Sequence, residues 1–245
     1  MKRTGSLLTL AALAAAAGVA HADVSSTITA TSDYDFRGIT QTARDPALQI
    51  SLDWSSESGA YLGAWASNVD FGSGTDSDAE IDLLGGFRGS FNDDTTYDIG
   101  AVYYAYAPSG DDVEYAEVYA GIGYKAVSAK VWYAWDYGNS GESEFYIETN
   151  AALPLPGDFG LALHVGYTDS EYFAADGGNY VDCSVGVTKD IGNFSLALKW
   201  VDGSDLKSSD GTPGDVFSSE SRVVFSVATT LTWNCLLYTS PSPRD

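Results

Sequence analysis

In Phe194–Trp200 and again in Val223–Trp233 apolar residues fall at nearly every second position, and this alternation constrains the fold more than any other feature of the chain. Phe194, Leu196, Leu198 and Trp200 alternate with Ser195, Ala197 and Lys199, and Val223, Phe225, Val227, Thr229, Leu231 and Trp233 alternate with Arg222, Ser226 and Thr230. Successive side chains of a strand point to opposite faces, so each run is a strand with one apolar face. The same pattern predicts about twelve strands, near 24–34, 46–55, 60–71, 79–91, 95–107, 114–125, 129–137, 143–154, 159–169, 179–190, 193–202 and 220–233. After the leader described below, no stretch approaches the eighteen consecutive apolar residues of a spanning helix.

Apolar faces are read at Leu48, Ile50, Leu52 and Trp54, at Tyr61, Gly63 and Trp65, at Ile81, Leu83 and Phe87, and so on to Val181, Cys183, Val185 and Val187. The opposite faces carry the charges: Asp53, Asp82, Arg88, Asp98, Glu117, Lys130, Asp136, Glu144, Glu148, Asp182, Lys199 and Arg222, with His164 among them. A soluble sandwich also alternates, so loop lengths have to arbitrate. Links after even-numbered strands are short (SSESG, NDD, AVS, PLPGD, IGN), whereas those after odd-numbered strands are mostly longer (DFRGITQTARD, GSGTDSD, APSGDDV, DYGNSGES, SEYFAADGG, DGSDLKSSDGTPGDVFSS). Sorting by parity is what an outer-membrane barrel does, with short periplasmic turns and long outer loops. Aromatic residues near strand ends (Tyr34, Trp54, Tyr61, Phe71, Tyr103, Tyr133, Tyr172, Trp200, Trp233) suit the girdles of such a barrel. The expected fold is therefore all-β, an antiparallel transmembrane β-barrel in the bacterial outer membrane, in contact with lipid and lipopolysaccharide.

Both ends of the chain are set apart from that barrel. Residues 1–22 (MKRTGSLLTLAALAAAAGVAHA) read as a signal peptide: a basic start, an apolar alanine–leucine stretch and a small-x-small ending. Residues 235–245 (CLLYTSPSPRD) match, codon for codon, a transposase adapter used in DNA library preparation, and are read as a sequencing artefact. The barrel domain is accordingly placed at 23–234. Removing Lys2, Arg3 and Arg244 from the twelve bases, and Asp245 from the thirty-four acids, leaves nine bases against thirty-three acids. Such a surface repels nucleic acid and attracts cations. With Cys235 assigned to the adapter, Cys183 stands alone and no disulfide is expected.

Against this acidity one arginine is conspicuous, in the run Ser32–Gln41 (SDYDFRGITQ). On the first strand Asp33, Asp35 and Arg37 share the inner face and Tyr34 and Phe36 the outer, and Gly38 then lets the chain turn. A guanidinium in a lumen of carboxylates relieves their repulsion by bridging several of them. Two roles are open for it: an ion pair that closes the barrel, or a selectivity constriction.

The run Asp33-Tyr34-x-Phe36-Arg37-Gly38-Ile39-x-Gln41 resembles the TorF-type porin family of Gram-negative bacteria. So do Asp45-Pro46-Ala47, Tyr61-x-Gly63-x-Trp65-Ala66-Ser67-Asn68-Val69 and Glu80-Ile81-Asp82. The resemblance runs along the chain to Asn234 and implies an outer-membrane barrel acting as a pore. It also implies insertion by the outer-membrane assembly machinery, which reads a terminal aromatic residue that this sequence does not show.

Catalysis is not expected. His164 is the single histidine outside the leader, it alternates with Leu163 and Val165 and so faces inward, and no G-x-S-x-G accompanies it. Asp76, Asp78, Glu80 and Asp82 offer oxygen ligands in a loop, but without the glycine and bidentate glutamate of an EF-hand they are read as a solvated acidic loop. No cofactor is expected. The function expected is passive diffusion of small hydrophilic solutes, cations preferentially, through a lumen lined by Asp33, Asp35, Arg37, Asp82, Arg88, Asp98, Glu117, Glu144, Glu148, Asp182 and Arg222. Two alternatives remain. One is a structural or adhesive barrel plugged by inward Tyr104, Tyr106, Tyr119, Tyr146 and Trp132. The other is a soluble secreted carbohydrate-binding β-protein.

Overall fold

The computed structural model describes residues 23–73, 76–108, 113–176, 178–204, 206 and 215–233. The expected signal peptide (1–22) and adapter-like tail (235–245) lie outside the described residues. In chain order the strands are β1 (Asp23–Thr31), β2 (Asp35–Phe36), β3 (Ile39–Thr40), β4 (Ala47–Ser55), β5 (Ala60–Asn68), β6 (Ser77–Ser90), β7 (Thr95–Pro108), β8 (Tyr115–Tyr124), β9 (Val127–Ala134), β10 (Glu144–Leu155), β11 (Phe159–Ser170), β12 (Asn179–Ile191), β13 (Phe194–Gly203) and β14 (Arg222–Trp233). All but β2 and β3 form a closed antiparallel barrel of twelve strands, each paired with its sequence neighbours, and β1 seals it against β14 (Thr31 opposite Ser226) and β4 (Thr31 opposite Ala47).

Closure answers two demands together. It leaves no unpaired sheet edge, and it gives every strand one face turned inward and one turned outward. Barrel strands run from 8 residues in β9 to 14 in β6 and β7. A tilted strand needs ~9–11 residues to cross a bilayer core. The outward face is a continuous apolar band: Leu48 is 64% exposed and Leu62 62%, with Leu83, Val118, Val165, Leu198 and Val223 beside them. A soluble sandwich would bury these side chains, each worth roughly 1.5–3 kcal/mol; here they form the outer surface of the barrel. Links at one end are short, from two residues (192–193) to four (56–59), and at the other long, from six (109–114) to eighteen (204–221).

Four expectations need correction. The first strand stops at Thr31, so Asp33, Asp35 and Arg37 do not lie on its inner face; the chain bends into the barrel, and Tyr34 is buried there rather than facing out. On β5 the phase is reversed: Tyr61, Gly63 and Trp65 face inward, while Leu62 is exposed with Ala64 and Ala66 on its side. Both faces of this strand are apolar in sequence, so alternation alone has no phase; the register Trp54↔Leu62 and Leu62↔Gly85 supplies it. Of the expected girdle residues, Trp54, Tyr103, Tyr133, Trp200 and Trp233 are exposed on the outer face, but Tyr34, Tyr61 and Phe71 are buried inside. Asp136 lies beyond the end of β9, in the link to β10, where it accepts from the Gly141 N–H at 2.7 Å.

Candidate channel constriction

Residues 32–46, between β1 and β4, fold into the barrel at its long-loop end, and β2 and β3 pair there as a two-stranded ribbon (Asp35↔Thr40, Phe36↔Ile39). The two residues joining them, Arg37 (φ 51°) and Gly38 (φ 83°), are both left-handed, as a two-residue hairpin turn of the I′ kind demands. Gly38 is also fixed by space. A Cβ there would stand 2.7 Å from the Asp182 Cβ and 3.1 Å from the Gly203 Cα, so the hairpin tip rests directly on β12 and β13.

Polar contacts hold the ribbon. Asp33 accepts from the hydroxyls of Thr40 (2.5 Å) and Thr42 (3.1 Å), and Tyr34 O accepts from the Gln41 N–H at 2.7 Å. Arg222 on β14 reaches across to it three times, pairing through Nε with Asp33, donating from Nη2 to Asp35 Oδ1 (2.7 Å) and from Nη1 to the Gly38 carbonyl (2.9 Å). Lys199 on β13 takes the other Asp35 oxygen at 2.9 Å.

Arg37 itself bonds elsewhere. Its Nη1 and Nη2 donate to Glu117 Oε1 and Oε2 at 2.9 and 2.8 Å, a bidentate pair, and Nη1 also donates to Glu144. Its guanidinium carbon lies 4.3 Å from the ring centre of Tyr146, 4.7 Å from Phe36 and 5.7 Å from Trp132. Glu117 and Glu144 are each 1% exposed. A fixed guanidinium among carboxylates is thus present as expected, but its partners are on β8 and β10, not the neighbouring Asp33 and Asp35.

Aromatic rings complete the filling of this end. Tyr34 packs on Trp65 (5.2 Å between centres) and donates to Glu80 at 2.7 Å, and Phe36 meets Tyr104 edge-on at 6.0 Å. Tyr104 donates to Glu117 Oε2 at 2.9 Å and stacks on Tyr115 at 4.5 Å. Asp82 points inward from β6, its Oδ1 without a hydrogen-bond partner among the described residues.

Toward the short-turn end the interior loosens. Asp98 pairs with Lys130 at 3.2 Å and accepts from Tyr61 at 2.5 Å, and Arg88, exposed, lies 4.9 Å over the Tyr61 ring. Glu148 accepts from Trp132 Nε1 and Asn150 Nδ2, both at 2.9 Å. His164 contacts Asp182 Oδ1 (2.6 Å) through Nε2 and Asn150 Oδ1 (2.8 Å) through Nδ1.

The structure places Asp82, Arg88, Asp98, Glu117, Glu144, Glu148, Asp182 and Arg222 on wall strands, and Asp33, Asp35 and Arg37 in the loop between β1 and β4. The structure joins Asp33, Asp35 and Arg222 in one cluster and Arg37, Glu117 and Glu144 in a second, with Asp98 paired to Lys130 and Asp182 to His164. Glu80, expected in a solvated loop, is 2% exposed inside; it shares parity with Asp82 on β6, so strand periodicity marks it as inward. Thr40 and Thr42 carried no signal, because their partner Asp33 meets them only once the loop folds inward.

The chain matches a family described as bacterial proteins of unknown function (Gcw_chp) over residues 14–231. It belongs to that family. No curated protein matches this Gcw_chp member in sequence. Among solved structures it is similar to the NanC porin, with 8% identity, 86% of this chain and 98% of that chain covered, and a TM-score of 0.57. It is also similar to the KdgM porin in complex with disordered oligogalacturonate, with 9% identity, 84% and 98% coverage, and a TM-score of 0.54. At such identity the likeness is one of fold. The Gcw_chp chain is a porin-like barrel, and a porin-like family agrees with the resemblance drawn from its sequence.

Proposed function

We propose that this protein is an outer-membrane channel for passive diffusion of small hydrophilic solutes, preferring cations, in the manner of the TorF-type porins its sequence resembles. The observation that carries the reading is the contrast between the two faces of one wall. Outside is an unbroken apolar band; inside, ionisable groups recur from end to end, with acids (Asp33, Asp35, Asp82, Asp98, Glu117, Glu144, Glu148, Asp182) outnumbering bases (Arg37, Arg88, Lys130, Lys199, Arg222). Carboxylates along a pore lower the energy of a cation and raise that of an anion, most strongly in dilute salt, because the screening length is about 10 Å at 0.1 M. The long-loop end would face outward and the short turns the periplasm, with lipid and lipopolysaccharide against the apolar band and the assembly machinery as insertion partner.

A second reading has its own support. The inward ribbon and the rings of Tyr104, Tyr115, Tyr119, Tyr146 and Trp132 fill the long-loop half, which suits a plugged structural or adhesive barrel. A soluble carbohydrate binder has no use for the apolar band. Planar-bilayer recording of the refolded protein in a potassium chloride gradient separates the first two: a reversal potential of cation-selective sign is expected, anion selectivity overturns the preference, and absence of current favours the plug.

A further inference from the structure

Arg37 is held as a ligand is held. The groups around it come from three consecutive wall strands, Glu117 on β8, Trp132 on β9, and Glu144 and Tyr146 on β10, so barrel pairing positions them whether or not the hairpin is seated. Two parallel N–H···O bonds of 2.9 and 2.8 Å to Glu117 match the planar fork of a guanidinium, and a compact ammonium cannot reproduce them. Ring faces at 4.3 Å (Tyr146) and 5.7 Å (Trp132) add cation–π attraction at a site withdrawn from water. One carboxylate oxygen is still unused: Glu144, 1% exposed, has no hydrogen-bond partner for Oε2 among the described residues. The cage therefore has capacity for another N–H beyond what Arg37 brings.

We propose that this cage is a binding site for small guanidinium-bearing solutes, and that Arg37 occupies it as a built-in surrogate that such a solute displaces. The hairpin is suited to displacement because its two ribbon strands are two residues each, paired at two positions, and Arg37 stands at its tip. Competition inside the native chain is stiff, since a tethered group presents itself at an effective concentration of millimolar order. Removing the tethered guanidinium leaves the cage open. That guanidinium solutes are also transported rests on the channel reading above; that they bind does not.

The test compares refolded wild type, R37A and R37A/E117Q in detergent, titrated calorimetrically with methylguanidinium chloride at constant ionic strength, with tetramethylammonium chloride as control. The expected result is saturable binding of methylguanidinium to R37A, at least tenfold tighter than to the wild type and than tetramethylammonium to R37A, and at least tenfold weaker in R37A/E117Q. Equal affinity in R37A and the double variant, or no preference over tetramethylammonium, overturns the site. Should R37A not fold by itself, recovery of the folded barrel in tens of millimolar methylguanidinium, and not in tetramethylammonium, is the expected result, and no recovery overturns the proposal. Potassium chloride conductance of the wild type is read separately. A barrel that binds methylguanidinium but passes no current keeps the site and loses the channel, and one that conducts without this binding keeps the channel and loses the site.

Discussion

Arg37 and Arg88 face the same lumen and are solvated in opposite ways. Arg37, at the long-loop end, has two carboxylates and three aromatic rings around it and is 9% exposed. Arg88, near the short-turn end of β6, is exposed, with the Tyr61 ring 4.9 Å from its guanidinium. The difference comes from the residues between β1 and β4, which fill one end of the barrel and not the other. Charges under the ribbon are buried and must satisfy one another, whereas Arg88, away from it, stays exposed. A buried charge stripped of its counter-charge costs far more than an exposed one, which makes the comparison measurable.

The largest effect should come from Glu117→Ala, which removes the bidentate partner of Arg37 and leaves a buried guanidinium with Glu144 as its remaining carboxylate. Losing one partner of a buried pair costs about 3–5 kcal/mol. Arg88→Ala, by contrast, gives up an exposed cation–π contact worth about 0.5–1 kcal/mol. Urea unfolding of the two refolded variants reads both numbers, and similar losses would break the distinction between the ends.

Gly38→Ala comes next. The left-handed φ of 83° costs an L-residue about 1–2 kcal/mol, and the new methyl meets Asp182 Cβ at 2.7 Å. The ribbon should lose its seat, and single-channel conductance should rise above that of the wild type. Unchanged conductance in a folded variant would place the constriction somewhere other than under the hairpin.

Smallest is Glu148→Gln. Glu148 lies midway along β10 and accepts from Trp132 and Asn150, bonds that a glutamine oxygen can still accept, so stability should change little. One negative charge leaves the lumen, and the reversal potential should move a few millivolts toward zero in dilute salt, less at high salt. Glu144→Gln, although two turns of the alternation away, should instead act through the hairpin, since Glu144 is engaged with Arg37. A larger selectivity change from Glu144→Gln without loss of stability would contradict that division.

Much of the barrel was legible because its information is local. Alternation in Phe194–Trp233 or Leu48–Trp54 is a property of each strand's own backbone, and the parity of loop lengths follows from a meander that crosses the wall up and down. These two signals sufficed for the strand number, for most strand faces and for the inward direction of Asp82, Asp98, Glu117, Glu144 and Asp182. They faltered where the local pattern was silent. Tyr61–Trp65 is apolar on both faces, and Ser32–Gln41 continues the alternation of β1 although the chain has left the strand.

Sequence by itself determined that this chain makes an antiparallel barrel with an apolar exterior and an acidic interior, because side-chain direction in a strand needs nothing beyond neighbouring residues. Tertiary structure decided what the interior charges do. Arg37 finds Glu117 and Glu144, 80 and 107 residues away, and Arg222 finds Asp33 from a distance of 189 residues. No local rule ranks such partners over Asp35, two positions from Arg37. Closure of β1 on β14 brings Arg222 to the first loop, and the positive φ of Arg37 and Gly38 turns the guanidinium from its sequence neighbours toward the far wall.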